Sequence, residues 1–536
     1  MGDKATLGER VDELLINPDV IERIDIFQKG DHEEPYFSVP NTKDTQKSLQ
    51  IYAAITNNES MITPEGAEKG LTTYGEELRE EAKDGIRHGN IRFLEQIAKS
   101  GKSVHSHVVT SYSTKPIPEH VRRAMPEIAE KFGTPVHVYD EDGIRQTCRD
   151  LNSAFSWVPG GFRNFFAVKA CPNPTLIALM KKEGFGADCS SAPELNLAYA
   201  AGMDGEDKMF TSNDTPDSEF RDANSRCAII NLDDITHIAA FERATGGLPN
   251  LLCFRYAGDE CEGNSIIGSS EERKYGLTRE QIFEAYRTAK EKGVKRFGLH
   301  AMMVSNERNV KKHLQQAEIM FRLHRDVRLA TGVDSEFINL GGGIGTAYKP
   351  WDKSLDLKAL GEGVKKLYDE YFSNGQNKPR IFMECGRVIT GPHGWLLTEV
   401  RHVMKKQRDY VGVDATMADL MRPGMYGAYH HATVLGKENA AHDQIVDVIG
   451  SLCENCDKFA VQRFMPSGIQ REDLIAVHNS GAHGRAMCFN YNGKLRSGEV
   501  AVKKDGSFEM IRGHETEKNY LATLNFPGSK YGYLAR

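Results

Sequence analysis

No apolar run in this 536-residue chain approaches the ~18 residues of a membrane span, so a soluble protein without a membrane partner is expected. There is no basic block either. Lysine and arginine number 68 against 75 acidic residues, a net charge of −7, which argues against nucleic acid as a partner. A disulfide framework is also missing. The ten cysteines are scattered along a long chain instead of framing a short one, and a reducing, cytoplasmic setting is expected. Cys453 and Cys456 form the single C-x-x-C pair, with no second pair and no histidines at ligand spacing, so no metal is expected. The start, MGDKATLGERVDELL, is too polar for a secretory signal. Gly2 and Thr6 fit the loose myristoylation pattern, which is short enough to arise by chance. No internal repeat and no low-complexity tract occur.

What the chain does have is a run of short apolar strands. They read FFAVK (165–169), GADCS (186–190), MFTSN (209–213), AIINL (228–232), LLCFRY (251–256), GLHAMMV (298–304), FINLGG (337–342) and RIFMEC (380–385). Seven helix-like segments lie between them, among them TLIALMKKEG and LKALGEGVKKLYDEYF. Such alternation predicts parallel β/α units, and eight of them predict an α/β fold with a (β/α)8 barrel over residues 140–394. Residues 116–139 are expected to supply the first strand or strands of a β domain, through TPVHVYDEDG. After the eighth strand, YVGVDA, HATVLG, QIVDVIG and EVAVKKDGSFEMIRG read as strands joined by turns, so residues 395–536 predict a C-terminal β domain. Residues 1–115 form an N-terminal extension with no visible chemical constellation, expected to pack on the main body or cover a subunit surface.

The rim where barrel strands end is the working face of that fold. Lys169 ends the first strand inside an apolar run. Partial desolvation there would lower its pKa and free its amine to form an imine, while a lysine that merely snorkels to the rim is an equal alternative. Gly341, Gly342 and Gly343 follow the seventh strand, where backbone N–H groups can converge on an anion. A dinucleotide fingerprint fails, because Thr346 falls where its last glycine should be. Glu384, Gly386 and Arg387 end the eighth strand, and Arg387 can grip a phosphate or carboxylate with two parallel hydrogen bonds. The plain alternative is a rim ion pair between Glu384 and Arg387. A lysine, a glycine cradle, an arginine and a carboxylate on one rim are the parts that hold pyridoxal phosphate.

With these parts the chain resembles the fold-type III pyridoxal-phosphate decarboxylases, which include the diaminopimelate, ornithine and arginine decarboxylases. The similarity runs from about Thr134 to about Val502. Phe166-Ala167-Val168-Lys169-Ala170 with Pro172-Asn173-Pro174 resembles the family's cofactor-lysine segment. Gly186-Ala187-Asp188 with Glu194-Leu195, Arg255 and Lys274-Tyr275-Gly276 are similar to further family segments, and Glu384-Cys385-Gly386-Arg387 is similar to its Glu-Pro-Gly-Arg. Arg422-Pro423-Gly424-Met425-Tyr426 with His430 resembles the diaminopimelate branch, and Cys453-Glu454 through Asp457 the family's Cys-Glu-x-x-Asp. Gly481-Ala482-His483-Gly484 and Tyr491-Asn492-Gly493 are similar to its closing motifs.

The resemblance implies an alanine-racemase-like barrel, pyridoxal phosphate, and a homodimer with shared sites. It implies cofactor contacts from Lys169, Asp188, Arg255, Ser305, Gly341, Gly342, Gly343, Glu384, Gly386, Arg387 and His483. Arg387, Arg422, Tyr426 and Glu454 would bind an amino-acid substrate, with Lys169 and Cys453 catalytic and Cys453 reaching the neighbouring subunit's site. The implied reaction is decarboxylation of a diamino acid, meso-diaminopimelate to lysine. The alternatives are another basic amino acid, a carboxylated polyamine or siderophore intermediate, or an inactive regulatory paralogue. Two residues depart from the family. Met302 stands where it places a histidine on the sixth strand, and His483 where it places a tyrosine. His300 lies on the same strand face about 6–7 Å back, so it does not simply replace the missing ring.

Overall fold

The computed structural model describes residues 21–27, 37–40, 46–56, 61–74, 78–79, 89–110, 116–258, 273–350, 352–373, 378–440 and 444–524. Gly2, Thr6 and the helical stretch GERVDELL lie outside the described residues. The N-terminal part is a small α+β module. Strands β1 (Ile21–Phe27), β2 (Phe37–Pro40), β3 (Met61–Ile62) and β4 (Val104–Thr110) make an antiparallel sheet in the order β2-β1-β4-β3. Helices Gln46–Ile55, Pro64–Tyr74 and Gly89–Ser100 close an apolar core with it, through Tyr52, Leu71 and Leu94 against Ile24 and Ile26. The extension expected from the sequence is therefore a module with its own core. Ile91, Leu94 and Ile97 at helical spacing supply its buried stripe. Across a cleft, Met61, Lys102 and Ser103 face Arg408, Lys458 and Phe459 of the β domain.

Residues 116–139 hold more helix than the strand expected there. Helix Glu119–Phe132 comes first and buries Val121, Ala124, Met125 and Ile128. Only then does β5 (Val136–Asp140) follow. The barrel comes next, from β6 (Phe162–Ala167), β7 (Gly186–Cys189), β8 (Lys208–Thr211) and β9 (Ile229–Leu232) to β10 (Leu251–Tyr256), β11 (Arg296–Ala301), β12 (Phe337–Asn339) and β13 (Arg380–Met383). All eight pair in parallel and close on themselves. Helices begin where side chains can cap them: Asn173 accepts from Thr175 N, Asn309 from Lys311 N, and Asp356 from Ala359 N. Inside the barrel Phe165, Met209, Ile229, Leu251, Cys253, Phe337 and Phe382 form a separate apolar plug. Phe337 and Phe382 stack with centroids 4.3 Å apart. The plug fills the interior, which leaves the C-terminal rim as the place for polar chemistry.

Strands β14 (Gly394–Lys405), β15 (Asp409–Val413), β16 (Ala432–Val434), β17 (Gln444–Ile449), β18 (Lys458–Met465), β19 (Leu474–Val477), β20 (Gly498–Val502) and β21 (Phe508–Arg512) build the β domain. The sheet order is β18-β17-β15-β14-β5-β20-β21, with β19 pairing both β14 and β16. β5 sits between β14 and β20 although it precedes the barrel, so the barrel is inserted into the β domain. Buried Glu499 ties the two together. It accepts from Tyr139 Oη at 2.7 Å and from Asn173 Nδ2 at 2.9 Å, fixing the loop that follows Lys169. No helix among the described residues is long and apolar enough to cross a membrane.

Buried histidines give the fold a pH dependence. Burial pushes His137 and His324 down to about 4, and Asp334, 4.0 Å from His324, is too far to offset it. In the unfolded chain both titrate near the ordinary value of 6.5, so acidification protonates the unfolded state first and stability falls from pH 6.5 towards 4. Each site is worth up to about 3 kcal/mol across that window. Thermal unfolding at pH 7.5 and 5 should show a lower midpoint at pH 5, and a smaller drop in H324Q.

Candidate active site

A cavity of about 480 Å³ opens at the C-terminal rim of the barrel. Its wall carries Lys169, Asp188, Arg255, Ser305, Gly343, Glu384, Gly386, Arg387 and His483 from the sequence-predicted set. Strand β6 stops at Ala167, and Lys169 rides a 3-10 turn, Val168–Ala170, that lifts it beyond the strand. Its side chain is exposed towards the cavity, which corrects the partial desolvation expected for a residue inside the strand. Gly386 lets the end of β13 approach this turn: a Cβ there would lie 2.8 Å from Ala170 Cβ. The backbone N–H of His483 donates to the carbonyl of Ala170 at 2.8 Å, bringing the β domain's contribution to the same edge.

Glu384 lies at the bottom of the cavity. Asn339 Nδ2 donates to its Oε1 at 2.7 Å, and His300 Nε2 stands 3.2 Å from its Oε2, outside good hydrogen-bond geometry. Burial alone would raise this carboxyl. The His300 imidazole, with Lys169 and Arg255 behind it, outweighs burial and holds it down at about 2. Glu384 is thus a fixed anion, and its partner is not Arg387, so the rim ion pair weighed from the sequence does not form. His300 is itself oriented by Asn231, whose Nδ2 lies 2.8 Å from its Nδ1. Asp188 is the contrasting carboxyl. Burial first and Glu384 second push it well up, Lys169 pulls it down, and its Oδ1 has no partner among the described residues. Arg255 donates to Asp233 at 3.0 Å and lies 4.1 Å over the Tyr275 ring.

The glycine turn is tighter than the sequence conveys. Gly341 and Gly343 have φ of +64° and +85°, and a Cβ on either would strike the carbonyl of Ala301 or Val304. Their N–H groups do not all converge on one point as expected. Gly341 N–H donates to Asn339 Oδ1 at 2.9 Å and Gly342 N–H to the Met302 sulfur at 3.2 Å. Only Gly343 of the three belongs to the cavity wall. Met302 also lies past the end of β11 at Ala301, and so not on the strand itself.

Beyond the glycines, Arg387 Nη1 and Arg422 Nη1 both donate to the phenolic oxygen of Tyr348, at 2.8 and 2.6 Å. Arg422 opens a short helix, Arg422–Tyr426, and its Nη1 is 3.2 Å from His430 Nε2. His430 Nδ1 faces the carbonyl of His478 at 2.8 Å, so it must carry the proton and Nε2 accepts from the arginine. Burial, and then Arg422, hold His430 well below the usual imidazole range, in keeping with that neutral tautomer. Tyr426 is exposed and is not part of the cavity wall. Cys453 and Glu454 are not part of it either. They form an exposed cluster in which Asn492 Nδ2 is 3.0 Å from Cys453 Sγ and Tyr491 Oη donates to Glu454 at 2.8 Å. Asp457 shapes their loop by accepting from the backbone N–H groups of Leu452 and Met417.

The sequence reading missed Asn231, Asn339 and Tyr348, and set His300 aside. Asn231 and Asn339 could have been found as lone amides inside apolar barrel strands. Tyr348, five residues past the last cradle glycine, carries no comparable signal.

The wall residues fit pyridoxal phosphate. An exposed lysine amine, an ionised carboxylate at the end of the neighbouring strand, an orphaned buried Asp188 oxygen and a turn that tolerates no Cβ are arranged around one cavity. Comparison with known proteins agrees. Residues 141–391 match the family described as pyridoxal-dependent decarboxylase, pyridoxal binding domain. Residues 11–108 match a family described as an uncharacterized protein conserved in bacteria. Protein TabA of Pseudomonas amygdali pv. tabaci is 40% identical over 409 residues, 76% of this chain and 95% of that protein. The diaminopimelate decarboxylase of Methanothermobacter thermautotrophicus is 33% identical, over 75% of this chain and 94% of that one. The crystal structure of diaminopimelate decarboxylase from M. jannaschii in complex with L-lysine superposes with a TM-score of 0.69 at 27% identity, covering 75% of this chain and 94% of that one. This chain therefore belongs to the pyridoxal-phosphate-dependent decarboxylases of fold type III, and is an amino-acid carboxy-lyase of that family.

Proposed function

We propose that this enzyme removes one carboxyl group from a diamino acid that carries a second carboxylate, with meso-diaminopimelate as substrate and lysine as product. The observation that carries the reading is the pair of guanidiniums, Arg387 and Arg422, meeting on one oxygen beside the cavity. Among the described residues no carboxylate lies within 4.0 Å of either, so two buried or half-buried cations are left for a ligand's anion. The diaminopimelate decarboxylase names of several relatives point the same way.

When bound, pyridoxal phosphate supplies an electron sink for the pair of electrons left at the α-carbon as carbon dioxide departs. The chain's own residues do the rest. Lys169 would hold the cofactor through its amine. Glu384, ionised and braced by Asn339 and His300, would keep the ring nitrogen protonated. Gly343, Ser305, Gly386 and His483 would bind the phosphate end, with Gly341 and Gly342 shaping the turn, and Asp188 and Arg255 line the same cavity. Arg422 fixes the distal carboxylate. Cys453 Sγ or the Lys169 amine returns a proton to the α-carbon. Arg422 and Tyr348 also lie outside the cavity wall but are buried and tied to its Arg387, whereas Cys453, Glu454 and Tyr426 are exposed, so we assign these three to the site of a second copy, in a homodimer.

Arg422→Ala tests the reading. The KM for diaminopimelate should rise by roughly 100-fold, the cost of losing a charged hydrogen bond and leaving a carboxylate unpaired, with lysine or ornithine little affected. Unchanged kinetics on diaminopimelate would remove the distal carboxylate pocket from the account.

A further inference from the structure

The geometry points to Tyr348 as a specificity-determining residue of the distal pocket: its hydroxyl sets the two guanidiniums side by side and adds a third donor for a substrate's far carboxylate. The inference rests on the decarboxylase reading above and deepens it by naming the group that makes two separate arginines into one carboxylate receptor.

Tyr348 is held from every side. It is only 8% exposed, and its backbone carbonyl accepts from Asn479 Nδ2 at 3.3 Å. The Arg422 guanidinium lies 4.7 Å over its ring, and His430 meets the ring edge-on at 5.2 Å. A phenolic oxygen has two lone pairs and one proton. Arg387 and Arg422 occupy the lone pairs. The proton is then the one unused hydrogen-bonding element of that hydroxyl, and no acceptor for it occurs among the described residues.

The charge around this oxygen is one-sided. Arg387 comes from the end of the barrel and Arg422 from the β domain, and a neutral phenol is what they share. His430, on the far side of Arg422, accepts a hydrogen bond but carries no charge. His483, also nearby, is held well below the usual imidazole range by burial first and then by Arg387, Arg422 and Lys169. Two cations and one O–H, with no internal anion beside them among the described residues, match a planar carboxylate, whose two oxygens accept about four hydrogen bonds. A substrate ending in an ammonium or a methyl group would leave this donor set unanswered and add repulsion. Discrimination between diamino dicarboxylates and simple diamino acids is therefore built at Tyr348 as much as at the arginines.

The test uses holoenzyme and Tyr348→Phe, with two measurements. The first is calorimetric binding of pimelate, a seven-carbon dicarboxylate without amines, beside cadaverine, a five-carbon diamine without carboxylates. The second is the steady-state kinetics on diaminopimelate. In the variant the pimelate Kd and the diaminopimelate KM should both rise about 10- to 100-fold, with kcat nearly unchanged, the scale of a hydrogen bond to a charged group. Cadaverine binding and the cofactor absorbance should stay as they are. Tyr348→His, which restores a ring N–H donor, should recover part of the pimelate affinity. An unchanged or tighter pimelate Kd in Y348F overturns the inference, as does an equal loss for pimelate and cadaverine. If wild-type enzyme binds pimelate and Y348F does not, yet diaminopimelate is never turned over, the substrate reading fails and the role of Tyr348 stands.

Discussion

Lys169→Ala is expected to abolish the visible absorbance of protein-bound pyridoxal and to lower turnover by roughly 10⁴- to 10⁶-fold, the scale on which loss of a covalent catalytic group acts. The reason is positional. The 3-10 turn at Val168–Ala170 carries the only lysine of the cavity wall among the described residues, and its side chain is exposed to that space. Glu499 pins the following loop through Asn173, and the His483 N–H pins Ala170, so no neighbouring residue is free to move into its place. Unfolding should be little changed, because Lys169 is exposed. Borohydride treatment followed by peptide mapping checks the same point without turnover. An adduct on the peptide containing residue 169 is expected in the wild type and none in the variant.

Glu384→Gln carries the second largest expected effect. The substitution keeps size and an oxygen for Asn339 Nδ2 but removes the charge that holds a ring nitrogen protonated. Turnover should fall by about 10²- to 10³-fold, as when one preorganised electrostatic partner of a reaction is lost, while the lysine adduct still forms. The pH behaviour follows from the same pairing. With its carboxyl held at about 2 against an ordinary value of 4.5, Glu384 contributes stability that is present above pH 4.5 and lost as pH falls through about 2. Activity loss on mild acidification should therefore not trace to Glu384. A pH–rate profile in which E384Q removes an acidic limb near neutrality would contradict this.

The barrel was legible because its signal is redundant: eight apolar strands separated by helical segments, each bounded by glycine or polar residues. The expected strand over 251–256 is the observed β10, but FINLGG and GLHAMMV overran their strands. Asn339 and Ala301 end them, and the turns beyond are shaped by contacts distant in sequence, such as Gly341 against Ala301. Lys169, Glu384 and Arg387 could be picked out as charged residues at strand ends. Their partners could not. His300 reaches Glu384 from β11, two strands away, and Tyr348 meets Arg422 from a loop 74 residues away. The N-terminal module was missed for a different reason. Its sheet joins β1 to β4 across nearly the whole segment, and such long-range antiparallel pairing leaves little local pattern.

The most direct test of the proposed reaction is incubation of purified holoenzyme with meso-diaminopimelate, following carbon dioxide and lysine together. The account predicts one lysine for each carbon dioxide released, with ornithine and lysine decarboxylated far more slowly. Enzyme that carries its pyridoxal on Lys169 yet releases carbon dioxide only from substrates without a distal carboxylate, or from none, would contradict it.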